Sequence, residues 1–302
     1  MSAAIIQNGR IVWDKGFGYQ DVESSIAATA ETPYPVFGLT QALSSTVVLQ
    51  QCMEQSYLEL TDRVSRWNPD FPDTTTTMAQ LLSHTSSNGM FKYDPDRFAA
   101  LTVVADQCSN SRYVRLLTEE IFSRLGMASS IPGAEVLEPS SPHRRWINAS
   151  TLDRYVTIYQ RQAAPYKVDG RGKPTRSTMP AGTLSAATGV VSTVRDLARF
   201  DSALDEGILL DASTRSRAWE SAGSAPAGLG WFVYRHNGER VVWHFGLARD
   251  AYSSLVVKVP ARNLTLILLA NSDGLVGPPY NLGDGNLSSN LFASLFLKLF
   301  VG

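Results

Sequence analysis

Two Asn-Gly pairs near opposite ends of the chain constrain its fold more than any other feature. Asn8-Gly9 lies between the apolar runs of AAIIQNGRIVW, and Asn237-Gly238 between those of WFVYRHNGERVVW. The favoured two-residue hairpin turn needs positive φ at both positions. Asn and Gly adopt it at least cost, so each pair predicts a β-hairpin. Two further apolar runs, AYSSLVVKVP and NLTLILLANS, flank a turn at Pro260-Ala261-Arg262-Asn263. They fall far short of the ~20 apolar residues a membrane-spanning helix needs, and read as buried strands.

Helical spacing dominates the middle. Apolar residues at three- and four-residue steps predict helices over 44–57, 77–83, 96–108, 112–125, 151–162 and 194–205, and a last one over 286–300. Thr193 precedes Asp196 by three residues, a variant of the capping box. Segments 128–150 and 163–182 are rich in Pro, Gly, Ser and charge and read as loops. The expected fold is α+β, with one antiparallel sheet drawn from both chain ends and flanked by helices. Residues 1–37 and 190–302 would form this sheet lobe, 38–189 a mostly helical lobe, with a ligand cleft between them.

Composition narrows the function. Lys plus Arg is 27 against 28 Asp plus Glu. This leaves no basic excess for phosphate neutralisation, so a nucleic-acid partner is not expected. A hydrophobic content of 44% excludes wholesale disorder. Two cysteines make no disulfide-dense scaffold, and a reduced, cytoplasmic chain is the default. No H-x-x-x-H, C-x-x-C, phosphate-loop or dinucleotide fingerprint is present, so neither metal nor cofactor is expected. The expected partner is a small-molecule substrate, with no membrane association; oligomeric state is not readable.

Eight segments, in order and over nearly the whole chain, resemble the serine β-lactamase and penicillin-binding-protein superfamily, especially its class-C-like esterase and D-aminopeptidase branch. They are GRIVWDKGFGYQDVE, ETPYPVFGLTQALSSTVVLQQ, LELTDRVSRWNPDFP, MAQLLSHTS, FKYDPDRFAAL, IFSRLGM, GVVSTVRDLARF and VVWHFGLARDAYSSLVVKVP. The resemblance implies the β-lactamase/transpeptidase-like fold. It also implies three motifs: S-x-x-K, with an acylated Ser and its Lys on one helix face; Y-x-N; and K-T-G or H-x-G on a strand beside the oxyanion hole. That family usually places a helix before its first strand. Here a strand begins almost at Met1, which suggests a cytoplasmic chain or a trimmed leader.

The first motif is absent. Aligning YPVFGLTQAL with the family pattern puts Gly38 at the nucleophile and Gln41 at the lysine. Glycine has nothing to acylate, and a neutral amide is no general base. Thr40, Ser44 and Ser45 are alternative hydroxyls, but no Lys follows any of them at i+3, and none occurs between Lys15 and Lys92. The second motif keeps Tyr93 in Tyr93-Asp94-Pro95, with Pro95 where the family has Asn. The third survives as Trp243-His244-Phe245-Gly246.

Tyr93 and His244 are therefore the expected catalytic pair, each with a structural alternative: a half-buried aromatic and a satisfied strand histidine. Gly38, Gln41, Asp94, Trp243, Gly246 and Arg249 are the expected substrate contacts. Gly38 would enlarge the cavity, and Gln41 would hydrogen-bond where the Lys stood. Trp243 would pack the sheet or wall the pocket, and Arg249-Asp250 would bind a polar group or form a salt-bridged loop. His84 reads as a buried histidine in a turn, and 171–174 as a loop suited to specificity. The leading expectation is an enzyme acting by noncovalent acid-base catalysis: isomerisation, cyclisation or elimination in a biosynthetic pathway. The alternatives are a catalytically dead binding protein and an esterase or peptidase with a non-standard nucleophile.

Overall fold

The computed structural model describes residues 1–179 and 183–302. Its centre is a six-stranded antiparallel sheet. Strands β1 (Ser2–Gln7) and β2 (Arg10–Gly16) come from the N-terminus. Strands β3 (Phe232–His236), β4 (Glu239–Ala248), β5 (Tyr252–Val259) and β6 (Leu264–Ala270) come from the other end. The order is β2-β1-β6-β5-β4-β3, so the N-terminal hairpin docks on the last strand, with Ala4 opposite Ile267. Both Asn-Gly turns have positive φ at both residues: +52° and +71° at Asn8-Gly9, +47° and +82° at Asn237-Gly238.

Strands β5 and β6 are buried along their whole length. That is why they read as unbroken apolar runs rather than alternating ones. Period-two alternation then splits their side chains between two cores. Leu264, Leu266 and Leu268 join Leu255 and Val257 on the face covered by the C-terminal helix. Ile267, Leu269 and Val256 join the larger core on the opposite face, which also takes in the helical middle of the chain.

Among the helices are α1 (Thr40–Val48), α2 (Met78–Leu82), α3 (Pro95–Phe98), α4 (Leu101–Cys108), α5 (Ala149–Gln160), α6 (Val194–Asp205) and α7 (Leu291–Phe300). Several boundaries differ from expectation. α1 begins four residues before position 44, because the chain turns sharply at Phe37 and enters the helix at once. The expected 96–108 helix is split, Ala99 and Ala100 separating α3 from α4. α7 starts only at Leu291, where the Asn290 side chain caps Ala293 N–H at 3.0 Å. Thr77 and Gln80 form a reciprocal capping box on α2, and Thr193 caps α6 through the Asp196 N–H. Within the expected 163–182 loop, Tyr166–Val168 pairs with Pro174–Arg176 in a small hairpin, exposed apart from the buried Tyr166, and 180–182 lie outside the described residues.

Two buried features tie the layers together. Lys258 of β5 is fully buried and faces α6. Its ammonium donates to Asp201 Oδ1 at 2.9 Å, Asp205 Oδ2 at 2.7 Å and Thr265 Oγ1 at 3.2 Å. Cys52, just beyond α1, and Cys108, at the end of α4, form a disulfide with Cα atoms 5.6 Å apart. This corrects the expectation of reduced cysteines. The two lie on separate helical segments brought side by side, which their separation of 56 residues could not reveal. Disulfides persist in oxidising compartments, so the cysteines give no support to a cytoplasmic location. Among the described residues, no helix is long and apolar enough to cross a membrane.

Candidate active-site cleft

The segment entering α1 is clamped from two sides. Tyr34 and Pro35 pair with Ser192 and Val191, and Val36 N–H donates to Val190 O at 2.9 Å. Val36 O accepts from Ser254 Oγ of β5 at 2.8 Å. Phe37 then takes φ +46°, a left-handed conformation that bulky residues avoid. A short 3-10 turn, Phe37–Leu39, leads into α1. Strand β4 passes so close that a Cβ on Gly246 would lie 1.9 Å from Val36 O. Gly246 is thus required by backbone packing against this elbow.

Every residue of α1 is buried. Ser44 Oγ donates to Thr40 O at 2.9 Å and meets Tyr113 Oη at 2.6 Å, while Ser45 Oγ donates to Ala42 O at 3.1 Å. Thr40 Oγ1 accepts from Val190 N–H at 3.3 Å. These hydroxyls are committed to the protein interior.

Gln41 is buried at the start of α1 and links two rings. Its Nε2 donates to Tyr93 Oη at 3.1 Å, and its Oε1 lies 2.9 Å from His84 Nε2. Asp94 N–H donates to His84 Nδ1 at 3.2 Å. The Nδ1 lone pair is thereby used, so the ring proton sits on Nε2 and is donated to Gln41. The result is a directed chain from Asp94 N–H through His84 and Gln41 to the Tyr93 oxygen. That oxygen accepts, which leaves the Tyr93 hydroxyl proton available elsewhere.

This chain is uncharged near neutral pH. Burial, with the neighbouring His244 and Arg97 charges, pushes the His84 imidazole down to about 3. Burial pushes His244 down to about 4. Burial also raises the Tyr93 phenol well above its usual value, against the opposing Gln41 hydrogen bond. Desolvation disfavours the charged form in all three cases.

A cleft of about 390 Å³ opens beside this chain. Phe37, Gly38, Tyr93 and Pro95 line one side, Phe245, Leu247 and Arg249 a second, and Val276, Pro278, Tyr280 and Leu282 a third. Of the expected site residues, Tyr93, Gly38 and the exposed Arg249 border it. Gln41 stands behind Tyr93.

The other expected contacts lie elsewhere, each for a physical reason. Asp94 caps α3, its Oδ1 accepting the Arg97 N–H at 3.0 Å. Trp243 is fully buried and stacks on Phe232 at 4.4 Å between ring centres, within the core under α7. His244 is 1% exposed, with Nδ1 held 2.9 Å from Phe245 N. Strand alternation turns it away from the cleft, to which β4 presents Phe245 and Leu247. Its ring centre is 6.3 Å from that of Tyr93. Asp250, beside Arg249, pairs with Lys167 at 3.3 Å.

Gly38 does not enlarge the cavity as expected. A Cβ there would lie 2.6 Å from Tyr93 Oη and 2.8 Å from Phe245 O, so the phenol and a main-chain carbonyl occupy that space. Gly38→Ser is therefore expected to destabilise the protein by about 1–3 kcal/mol through overpacking. Urea unfolding of Gly38→Ser, Tyr93→Phe and the double variant checks this. The double variant should regain only part of the loss, because Phe245 O remains.

Two parts of the site were missed in the sequence. His84 reads as a buried turn histidine, and so it is, but it also orients Gln41. No local spacing marks that role. The 276–283 wall had a visible signal, GLVGPPYNLGDG, a Pro- and Gly-rich stretch carrying one aromatic directly after the last strand.

The comparisons agree with this architecture. A sequence model of the Beta-lactamase family matches residues 1–282. PbpX of Bacillus subtilis (strain 168), named as a penicillin-binding protein, is 24% identical over 264 residues, covering 77% of this chain and 61% of that protein. Protein flp of Staphylococcus aureus is 35% identical over 91 residues, 28% of this chain and 18% of that one. The chain thus spans less than two thirds of these relatives. Among solved structures, the octameric penicillin-binding protein homologue from Pyrococcus abyssi aligns with a TM-score of 0.75 at 21% identity, over 98% of this chain and 73% of that one. D-amino acid amidase from Ochrobactrum anthropi SV3 aligns with a TM-score of 0.73 at 17% identity, over 100% and 94%. At these identities the structures speak for the fold alone. The family match, running through the elbow, the Tyr93 segment and the H-x-G strand alike, shows that this chain belongs to the β-lactamase family.

Proposed function

We propose that this chain is a non-acylating member of its family, which binds a small amphipathic molecule in the cleft. The observation that carries this reading is the filled space beside Gly38, the position the alignment would give to the nucleophile. Tyr93 Oη and Phe245 O stand 2.6 and 2.8 Å from where a side chain on residue 38 would begin. The position expected to hold the lysine carries the neutral Gln41. Mostly apolar walls and the exposed Arg249 favour a ligand with an apolar body and an acidic end. Tyr93 would give that ligand a hydrogen bond from its free hydroxyl proton.

The expected acid-base pair has less support, because His244 is enclosed and three neutral groups supply no strong base. A substitute nucleophile has less still, because Thr40, Ser44 and Ser45 are buried and bonded. A β-lactam, if it entered the cleft, would be held without a covalent bond.

Intact-mass spectrometry after incubation with fluorescent penicillin and with a fluorophosphonate tests the first half. An unshifted mass is expected, and an adduct on the chain overturns the reading. A thermal-shift panel of small carboxylates tests the second half. At least one should stabilise the protein, by less in Arg249→Ala and Tyr93→Phe; no shift from any of them sinks the binding claim.

A further inference from the structure

His84 holds Tyr93 from both sides. Its carbonyl accepts the Lys92 N–H at 2.9 Å and its Nδ1 accepts the Asp94 N–H at 3.2 Å, so both neighbours of Tyr93 are bonded to one residue. His84 takes φ +53°, a left-handed conformation uncommon outside glycine, and such strain gathers at functional sites. Its ring stacks on Phe98 with centres 5.0 Å apart, and its centre lies 4.8 Å from that of Tyr93. The side chain is buried and cannot turn over without giving up these contacts.

The direction of the bonds behind Tyr93 therefore begins in the main chain. A backbone N–H only donates, so Asp94 makes Nδ1 an acceptor and leaves the proton of the neutral ring on Nε2. Nε2–H needs an oxygen, so Gln41 turns Oε1 to His84 and Nε2 to Tyr93. The Gln41 amide nitrogen only donates in turn, so the phenol oxygen accepts. A charged imidazolium would set an N–H against the Asp94 N–H, and burial already holds the ring neutral. The Tyr93 proton has no acceptor among the described residues, and the phenol oxygen stands beside Gly38, another residue of the cleft wall. An unconstrained hydroxyl serves donors and acceptors alike. This one already accepts from behind and is left to donate.

We infer that His84 is a positioning residue that sets the polarity of the cleft: through Gln41 it makes Tyr93 a donor, so the ligand atom that meets Tyr93 is a carbonyl or carboxylate oxygen and not an amine. This rests on the cleft being a binding site, as proposed above. It adds which ligand chemistry is taken and which residue, behind the cleft wall, decides it.

Two readouts test it on the full chain. Long-range proton–nitrogen NMR reads the His84 tautomer without a ligand. Nε2–H is expected, and Nδ1–H overturns the inference. Fluorine NMR titration reads the polarity with two pairs of probes alike in shape. One pair is 4′-fluoroacetophenone and 4-fluoro-α-methylstyrene, which lacks the acceptor. The other is 4-fluoroaniline and 4-fluorotoluene, which lacks the donor. Judged against the same pair in Tyr93→Phe, the ketone should gain at least about threefold over its partner in the wild type, the margin of one net hydrogen bond. The aniline should gain nothing.

His84→Asn cuts the relay but spares the grip on Asp94. Asn suits a positive φ and keeps an acceptor near the Nδ1 position, with nothing where Nε2 stands. The Gln41 amide is then free to turn over and take the Tyr93 proton. A gain for the aniline should appear and that of the ketone should shrink, with circular dichroism showing the fold retained. A purely structural role for His84 would move both pairs together. An equal gain for the aniline in the wild type, an unchanged pattern in His84→Asn, or no saturable binding of the ketone overturns the inference. The carboxylate panel described above decides separately whether the cleft binds at all.

Discussion

Lys258→Met is expected to cost about 3–5 kcal/mol of stability at neutral pH, the price of leaving buried carboxylates without their counter-charge. The ammonium touches Asp201, Asp205 and Thr265 and is shielded from solvent, while Asp201 Oδ2 already has no partner among the described residues. Burial works to lower the Lys258 pKa, but the two aspartates outweigh it and hold the amine charged, above its ordinary value. Burial likewise raises the Asp205 pKa, with Lys258 opposing.

The pH dependence of the variant follows from those signs. Without the lysine, Asp205 keeps its desolvation and its repulsion from Asp201 and loses the opposing ammonium, so its folded-state pKa rises further above the unfolded one. A carboxyl raised in this way favours the folded state below its unfolded pKa and disfavours it as pH climbs through the folded value. The deficit of Lys258→Met should therefore be largest near pH 7 and shrink toward pH 4. In the wild type, the raised Lys258 pKa keeps the lysine's contribution fully present below its unfolded value and loses it only as pH rises through the folded one. Urea unfolding of both proteins at several pH values measures this. A pH-independent difference would contradict the assignment of the cost to unpaired carboxylates.

Opening the Cys52–Cys108 disulfide should be of similar size. It closes a loop across 56 positions of sequence, and chain-entropy reasoning gives about 4 kcal/mol for such a loop. Denatured-state structure reduces such figures in practice, so a loss of about 2–4 kcal/mol is the working expectation for Cys52→Ala/Cys108→Ala. Urea melts with and without reductant read it out. The wild type should lose the same amount on reduction, and the double variant should be insensitive to reductant. Because the bridge joins the end of α1 to the end of α4, weakening should concentrate in the helical segment. Amide exchange would reveal that as faster opening in 101–108 than in β5.

Much of the fold was legible because it depends on local rules. Asn8-Gly9 and Asn237-Gly238 announce hairpins through positive φ, and LVVKV and LTLILLA announce strands buried on both faces. The site was legible only as an alignment. The residues placed at Gly38, Gln41 and Tyr93 do meet around one elbow, but their contacts reverse two expectations. Gly38 opens no cavity, since Tyr93 Oη and Phe245 O fill it. His244 does not face the cleft, since period-two alternation along β4 gives that side to Phe245 and Leu247. His84 was visible as a buried histidine, but its bond to Gln41 spans 43 positions and has no local trace.

The sequence by itself determined the turn chemistry, the strand and helix periods and the family. These are properties of single residues and near neighbours. Only the tertiary structure decided what fills the space beside Gly38, which β4 side chains reach the cleft, and how the cysteines pair. It also revealed that Lys258 is a buried counter-ion. Each of these depends on distances between segments far apart in the chain, and close packing fixes such distances to within a few tenths of an ångström. No one-dimensional pattern carries that information.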